Sequence, residues 1–597
     1  MCETTKKEKG DILLFWRAAG TVALYVMLVS ILATQAWGVE MPWGMYEDPV
    51  LEKPTVETVF PPELANLWRQ ALERPEREMK RRAALAIAEG VAKGVPALET
   101  TVDSLCNVLS EPGQDRMVRL SVARALVALD ARSAATVLVQ ATDPNDLEMA
   151  EVVEPALARW GETGLRDRWL ERLNGEVRLR RFHVLAIRGL VALEQKDVLP
   201  RLLELALDRH TPASVRLEAA NALGSLQESG LTDAARELCE DQSFAAVVDR
   251  LAAAKMLASH RGKKAELFLV RIATDPEPAV RAVALHHLFQ IDPSLILPII
   301  EKTVLSKDAN VRRWGAETLV SKAAPGLLEV LVPMLDDQDP ELRRFVCDSL
   351  VALADDSALR DGILREARNV LNADGWRGQE QATLLLVTLK DTTITDRLLE
   401  LLDVSRPEAH VAAAWGLCQF ALPETVEPVH KILCKKTESC LAHEPQNEGI
   451  GDQLALLAQL LGVLKYTPAD AVLRKYVPKG ALTSTSRSAA IWALGKLHSG
   501  EPDPELVRLL EGRVLDAFSL NPESVDVCRM SAITLGRMNA QSALKTLQIA
   551  RSQTTLDTGF GYACAWALNQ LTGEEIPPLK PTINLEQDWF LIPTQRP

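Results

Sequence analysis

Chemistry in this 597-residue sequence depends on a few side chains whose types and spacing are suited to it. Cys434 and Cys440 flank the polar run Lys435 to Ser439, which predicts a short loop closed by a disulfide, with two free thiols as the plainer alternative. His430 and His443 bracket the same stretch and supply a zinc-like donor set with the two cysteines, but at a spacing that matches no familiar zinc pattern. Cys347, Cys418, Cys528 and Cys564 fall inside apolar helical stripes, where a thiol packs as a small hydrophobe. A haem-attachment Cys-x-x-Cys-His, a His-Glu-x-x-His zinc helix, a Gly-rich phosphate loop and a Gly-x-Ser-x-Gly elbow are all missing from the sequence. No catalysis, cofactor or metal is therefore expected. Trp415, Trp492 and Trp566 remain, and they matter because they recur at one position of a repeated element.

That element is clearest between Glu277 and Leu353, where EPAVRAVALHHL, DANVRRWGAETL and DPELRRFVCDSL state one pattern three times. Glu277, Asp308 and Asp339 are 31 residues apart, and Arg281, Arg312 and Arg343 follow each by four. A fixed period of about 30 to 45 residues with one amphipathic pattern per period marks stacked helical hairpins. Asp339 is placed to cap a helix that begins at Pro340, and Asp308 opens the repeat before it. The arginines are spaced to meet acidic groups of an adjacent repeat, so Asp308, Asp339 and the three arginines read as a structural ladder.

The same apolar stripe recurs from Met79 to Leu571 with no competing alternation of period two. The expectation is an all-α fold, a right-handed α-solenoid of roughly fourteen HEAT-like hairpins over residues 63–573. Aligned on the leucine of the stripe, the residue two before it is Arg124, Asn221, His286, Glu317 and Asp348 in earlier repeats. In later repeats it is Trp415, Gln459, Trp492, Ile533 and Trp566. Indoles on a ridge that is otherwise polar suggest an aromatic stripe for peptide or glycan contact; burial of the same indoles between repeats is the plainer reading.

The two ends fall outside the period. Lys6, Lys7, Lys9 and Arg17 precede an uncharged run from Ala18 to Gly38, as in a secretory signal cut after Gly38. The run is also long enough to anchor the chain in a membrane through residues 18–38. Either way the body is expected outside the cytoplasm, in the periplasm or beyond, and any membrane contact runs through residues 1–38 if they are uncleaved. Residues 39–62 are proline-rich and read as an extended linker or a strap along the first repeat. Residues 574–597 are proline-rich again and carry one apolar knot, Trp589 to Ile592. That knot suits either a strap over the last hairpin or a motif offered to a partner.

The Asp-x-x-Val-Arg and Ala-x-x-Ala-Leu signatures resemble the second helix of HEAT repeats, including the HEAT-like repeats of phycobilin lyases. The resemblance implies a fold more strongly than an activity. Metal-dependent hydroxylases of this fold use several His-Glu pairs, whereas this chain has one, His443-Glu444. With a net charge of −14, the surface would repel phosphate backbones, which excludes nucleic acid as the expected partner. The expected function is an exported scaffold that binds another protein at the cell envelope. A peptide- or glycan-binding module and a bilin-lyase-like accessory enzyme are the alternatives.

Overall fold

A computed structural model describes residues 44–175, 179–241, 243–480, 482–585 and 589–592. The export segment read at 1–38, the stretch 39–43 and the last residues of the tail lie outside them. Among the described residues, no helix is long and apolar enough to cross a membrane.

The chain is an all-α solenoid of HEAT-like hairpins that divides into two compact units. One unit comprises residues 55–322 with the tail from 581; the other comprises 323–580 with the N-terminal segment that ends at Pro54. Each terminal segment thus belongs to the unit built from the opposite half of the chain. The first unit contains eight described hairpins and the second seven, one more than the repeat count in the sequence suggests.

Each hairpin follows from local chemistry. The second helices open on caps such as Asp115, Asp308 and Asp339, whose carboxylates accept from Met117, Val311 and Leu342 N–H at 2.9, 3.0 and 2.9 Å. Pro278, Pro340 and Pro407 occupy first-turn positions that need no amide proton. Many second helices close in a left-handed residue: Asp130, Gly161, Glu194, Lys390, Lys465 and Asn539 all have positive φ. Behind each, a six-to-one bond such as Tyr466 N–H to Leu461 C=O at 3.0 Å satisfies an orphan carbonyl. The apolar stripe between these ends is buried, with Leu126, Leu190, Leu319, Leu385 and Leu494 at 1% exposure or less.

Buried ion pairs link successive repeats in the first unit. Arg216 meets Asp249 at 2.6 Å and Arg250 meets Asp275 at 2.8 Å, all four side chains being enclosed. The periodic arginines of the triplet also donate to neutral oxygens. Arg281 reaches Ser306 Oγ at 3.1 Å, Arg312 the Ser306 and Lys307 carbonyls at 2.9 and 3.0 Å, and Arg343 the Asp337 carbonyl at 2.8 Å. Arg312 and Arg343 hold the turn that enters their own helix, because a side chain one turn in faces back onto that loop, whereas Arg281 reaches the corresponding turn of the next hairpin.

Outside the helices of this all-α fold, one short strand pair joins the two ends of the first unit. β1 (Val56–Val59) pairs in parallel with β2 (Thr582–Leu585), in register from Val56 opposite Thr582 to Val59 opposite Leu585. The tail then turns its knot onto the first hairpin and not the last. Trp589 is buried against Trp68 at 5.5 Å between ring centroids and against Phe60 at 6.1 Å, with Lys93 over its face at 4.7 Å. Trp68 Nε1 donates to the Phe590 carbonyl at 2.5 Å, and Arg82 lies over the Phe590 ring. Among the described residues no repeat precedes this hairpin, and the knot covers the face that a preceding repeat would cover.

Candidate functional site

The ridge that carries the tryptophans differs physically between the two ends of the array. At the position two before the stripe leucine, Arg124, Asn221, His286 and Asp348 are exposed and Glu317 is half-buried. Trp415, Gln459, Trp492 and Ile533 are buried and Trp566 is half-buried.

Two causes account for the change. The first is close approach of consecutive second helices, Ile450–Val463, Ser484–Leu497, Val525–Arg537 and Gly559–Thr572. Gly462, Gly495 and Gly536 each follow a stripe leucine. A methyl group placed on Gly462 would lie 2.7 Å from the Ala493 Cα, and one on Gly536 would lie 2.7 Å from the Ala567 Cα. The same two positions stand 3.2 Å from ring atoms of Trp492 and Trp566, so each indole lies across the glycine of the preceding helix. Absent side chains let the backbones close up, and the tryptophans cover the gap.

The second cause is an occupant. Residues 44–52 of the same unit run along this ridge, beginning with a helical turn, Gly44–Glu47. Met45 is fully buried, and its backbone N–H donates to Gln459 Oε1 at 2.9 Å. Tyr46 lies under the Arg529 guanidinium, 5.0 Å from ring centroid to carbon. Burial, together with the charge of Asp526 beside it, pushes the Tyr46 phenol up to about 12, so it stays a neutral donor.

Asp48 carries the densest set of contacts. Its carbonyl accepts from Trp492 Nε1 at 2.6 Å and from Arg537 Nη2 at 3.1 Å. Its carboxylate accepts from Lys496 Nζ at 2.7 Å and from Arg537 Nη2 at 2.9 Å. Lys496 and Arg537 also flank the Trp492 ring, at 5.5 and 5.8 Å from its centroid. Burial disfavours the charged form of Arg537 and the Asp48 carboxylate opposes that effect, which is why this arginine needs an acidic partner. Farther along, Glu52 bonds to Tyr562. Of the three indoles expected to form a stripe, Trp415, Trp492 and Trp566, Trp492 is the one bonded to this acidic segment, through the Asp48 carbonyl.

The other residues singled out in the sequence are placed as follows. Cys434 and Cys440 lie in one helix, Val426–Leu441, and both are free thiols, which corrects the expected loop disulfide. Six residues of helix separate their Cα atoms by about 9 Å, beyond the reach of a disulfide. The run between them is helical because Thr437 is buried and bonds to the Tyr476 hydroxyl at 2.6 Å, while Lys436 reaches the Leu402 carbonyl at 2.7 Å. His430 Nε2 approaches Cys434 Sγ at 3.4 Å, one helical turn away. Among the described residues, no group of three or more His, Cys, Asp or Glu side chains converges as a metal site would require. Burial pushes all eight described cysteine thiols up, Cys347, Cys418, Cys528 and Cys564 to about 12.

One depression does gather ionisable groups. A volume of about 540 Å³ is lined by Arg116, Asp143, Asp146, Glu148, Glu151 and Arg181. Arg116 bonds Asp146 at 2.8 Å and Glu148 at 3.0 Å, and these contacts hold the Asp146 carboxyl below its ordinary range. The lining of the depression is thus an ion-pair network on the surface.

No family model matches this chain, and no curated protein matches it in sequence. Solved structures similar to it include a mutant of Kap121p, at 14% identity and a TM-score of 0.47, covering 85% of this chain and 57% of that one. The structure of Kap95p with RanGDP is similar at 13% identity and 0.46, and yeast importin-beta (Kap95p) at 12% and 0.43. Both cover 85% of this chain and 72% of the other. The chain therefore spans a little over half the length of Kap121p and about three quarters of Kap95p.

Proposed function

We propose that this chain is an exported scaffold that binds another protein at the cell envelope and performs no catalysis of its own. The observation that carries this reading is the ridge from Gln459 to Tyr562, where helices of successive hairpins hold residues 44–52 by their backbone and by the carboxylates of Asp48 and Glu52. Surfaces that read backbone and side chain together are peptide-recognition surfaces. Export is supported by the basic, then apolar, first 38 residues.

The ridge also favours peptide over glycan within the binding-module alternative. The groups it takes from its occupant are a backbone carbonyl and a carboxylate, held by Trp492, Lys496 and Arg537, which an acidic peptide supplies together. Affinity purification from membrane and soluble exported fractions, with amino-terminal sequencing of the recovered chain, tests the proposal. The expected outcome is a specific protein partner and either a chain beginning at Val39 or one retained in the membrane with residues 18–38 intact. Reproducible turnover by the purified chain alone, or a chain recovered only from the cytoplasm, would contradict it.

A further inference from the structure

The ridge occupant has the marks of a ligand more than of a core element. Asp48 supplies the anchoring carboxylate, yet its side chain remains 43% exposed, and Val50 two residues on is 82% exposed. Lys496 and Arg537 are mainly enclosed, so the cationic half of the contact is built into the ridge and the anionic half lies on top of it. The ridge also holds donors that the segment does not use. Trp415 Nε1, Arg529 Nε and Arg537 Nη1 are buried without a hydrogen-bond partner among the described residues. A surface with unused, desolvated donors and an anion held at its rim is complementary to an acidic segment with more acceptors than residues 44–52 offer.

We propose that this ridge docks an extended acidic segment of a partner protein, one with an aromatic residue two positions before an aspartate, and that residues 44–52 are the resident competitor for it. This rests on the scaffold reading and names the surface and the chemistry through which it acts. Tyr46 and Asp48 define the pattern: the ring lies under Arg529, and the carboxylate and carbonyl two residues on are taken by Lys496, Arg537 and Trp492. Binding in trans requires release of the resident segment. Apparent affinity is therefore reduced by the fraction of time the seat is empty, and a weaker resident raises it.

The test uses the full chain and a fluorescent synthetic peptide of residues 44–52, read by polarisation. Asp48→Ala in the chain is expected to tighten binding of the wild-type peptide by about tenfold over the unaltered chain. A peptide carrying Asp48→Asn is expected to bind about tenfold more weakly, and Arg537→Ala added to the Asp48→Ala chain to remove binding. No gain in the Asp48→Ala chain, equal binding of the two peptides, or binding indifferent to Arg537→Ala would each overturn the proposal. If Asp48→Ala abolishes cooperative unfolding, Tyr46→Ala replaces it. If both unfold the chain, residues 44–52 are an obligatory part of the unit and the proposal fails. Recovery of the same exported partner with and without Arg537→Ala would remove this ridge while leaving the scaffold reading in place.

Discussion

The two terminal segments of this chain are both docked on helical hairpins, but by different chemistry. The tail is held in the first unit by a parallel strand pair and by Trp589 enclosed among Trp68, Phe60 and Lys93. That contact is apolar and closes an otherwise open end of a repeat row. Residues 44–52 are held in the second unit by an aspartate between Lys496, Arg537 and Trp492, along a surface lined by consecutive repeats. That contact is charge-selective and partly wet. The comparison separates a cap, which only has to exclude water, from a seat that discriminates among occupants.

Two substitutions sharpen that contrast, the larger effect first. Trp589→Ala should lower the stability of the first unit by about 3 kcal/mol, with little dependence on salt, because the loss is packing. An effect below about 1 kcal/mol in denaturant unfolding would show that the tail is loosely attached. Asp48→Ala should cost about 1 to 2 kcal/mol, since it leaves Arg537 enclosed and unpaired, and the difference should shrink between low and high salt. Equal salt responses of the two variants would erase the distinction between cap and seat.

A pH titration probes an ion pair that links successive hairpins of the second unit. Burial alone would raise the Glu523 carboxyl, but bonds from Arg487, the Ser524 amide and Arg513 bring it from 4.5 down to about 2. A depressed folded value stabilises the protein above the unfolded value and loses that contribution as pH falls through about 2. Glu523→Gln should therefore destabilise the second unit by about 2 to 3 kcal/mol at neutral pH, and the gap to the unaltered chain should close between about pH 4.5 and 2. A gap that persists unchanged at low pH would mean the carboxylate charge is not what matters. The smallest expected effect is a gain. Lys465 closes its helix at a φ of 49°, so Lys465→Gly should add about 0.5 to 1 kcal/mol.

The repeat was legible in the sequence because it is local: caps such as Asp308 and Asp339, and leucines three and four apart, lie within a single helix. The same holds for Trp415, Trp492 and Trp566, whose shared position is visible by alignment. Their surroundings were not, because Gly462 and Gly536 act on the next helix, and because the contacts of Asp48 with Lys496 and Arg537 span 448 and 489 residues. Nothing in the local sequence specifies contacts at that range. A signal was nevertheless present in the glycine that follows the stripe leucine in the later repeats. The polar run Lys435 to Ser439 misled for a related reason: Lys436 and Thr437 look like loop residues until Leu402 and Tyr476, from the neighbouring hairpins, are beside them.

Hydrogen exchange of residues 44–54, in the unaltered chain and in Arg537→Ala, measures most directly whether the ridge holds its own segment through Asp48. The expected result is protection of the Met45 amide region in the unaltered chain and its loss in Arg537→Ala, with β1 at Val56–Val59 unchanged in both. Fast exchange of residues 44–52 in the unaltered chain, or protection that survives Arg537→Ala, would contradict it.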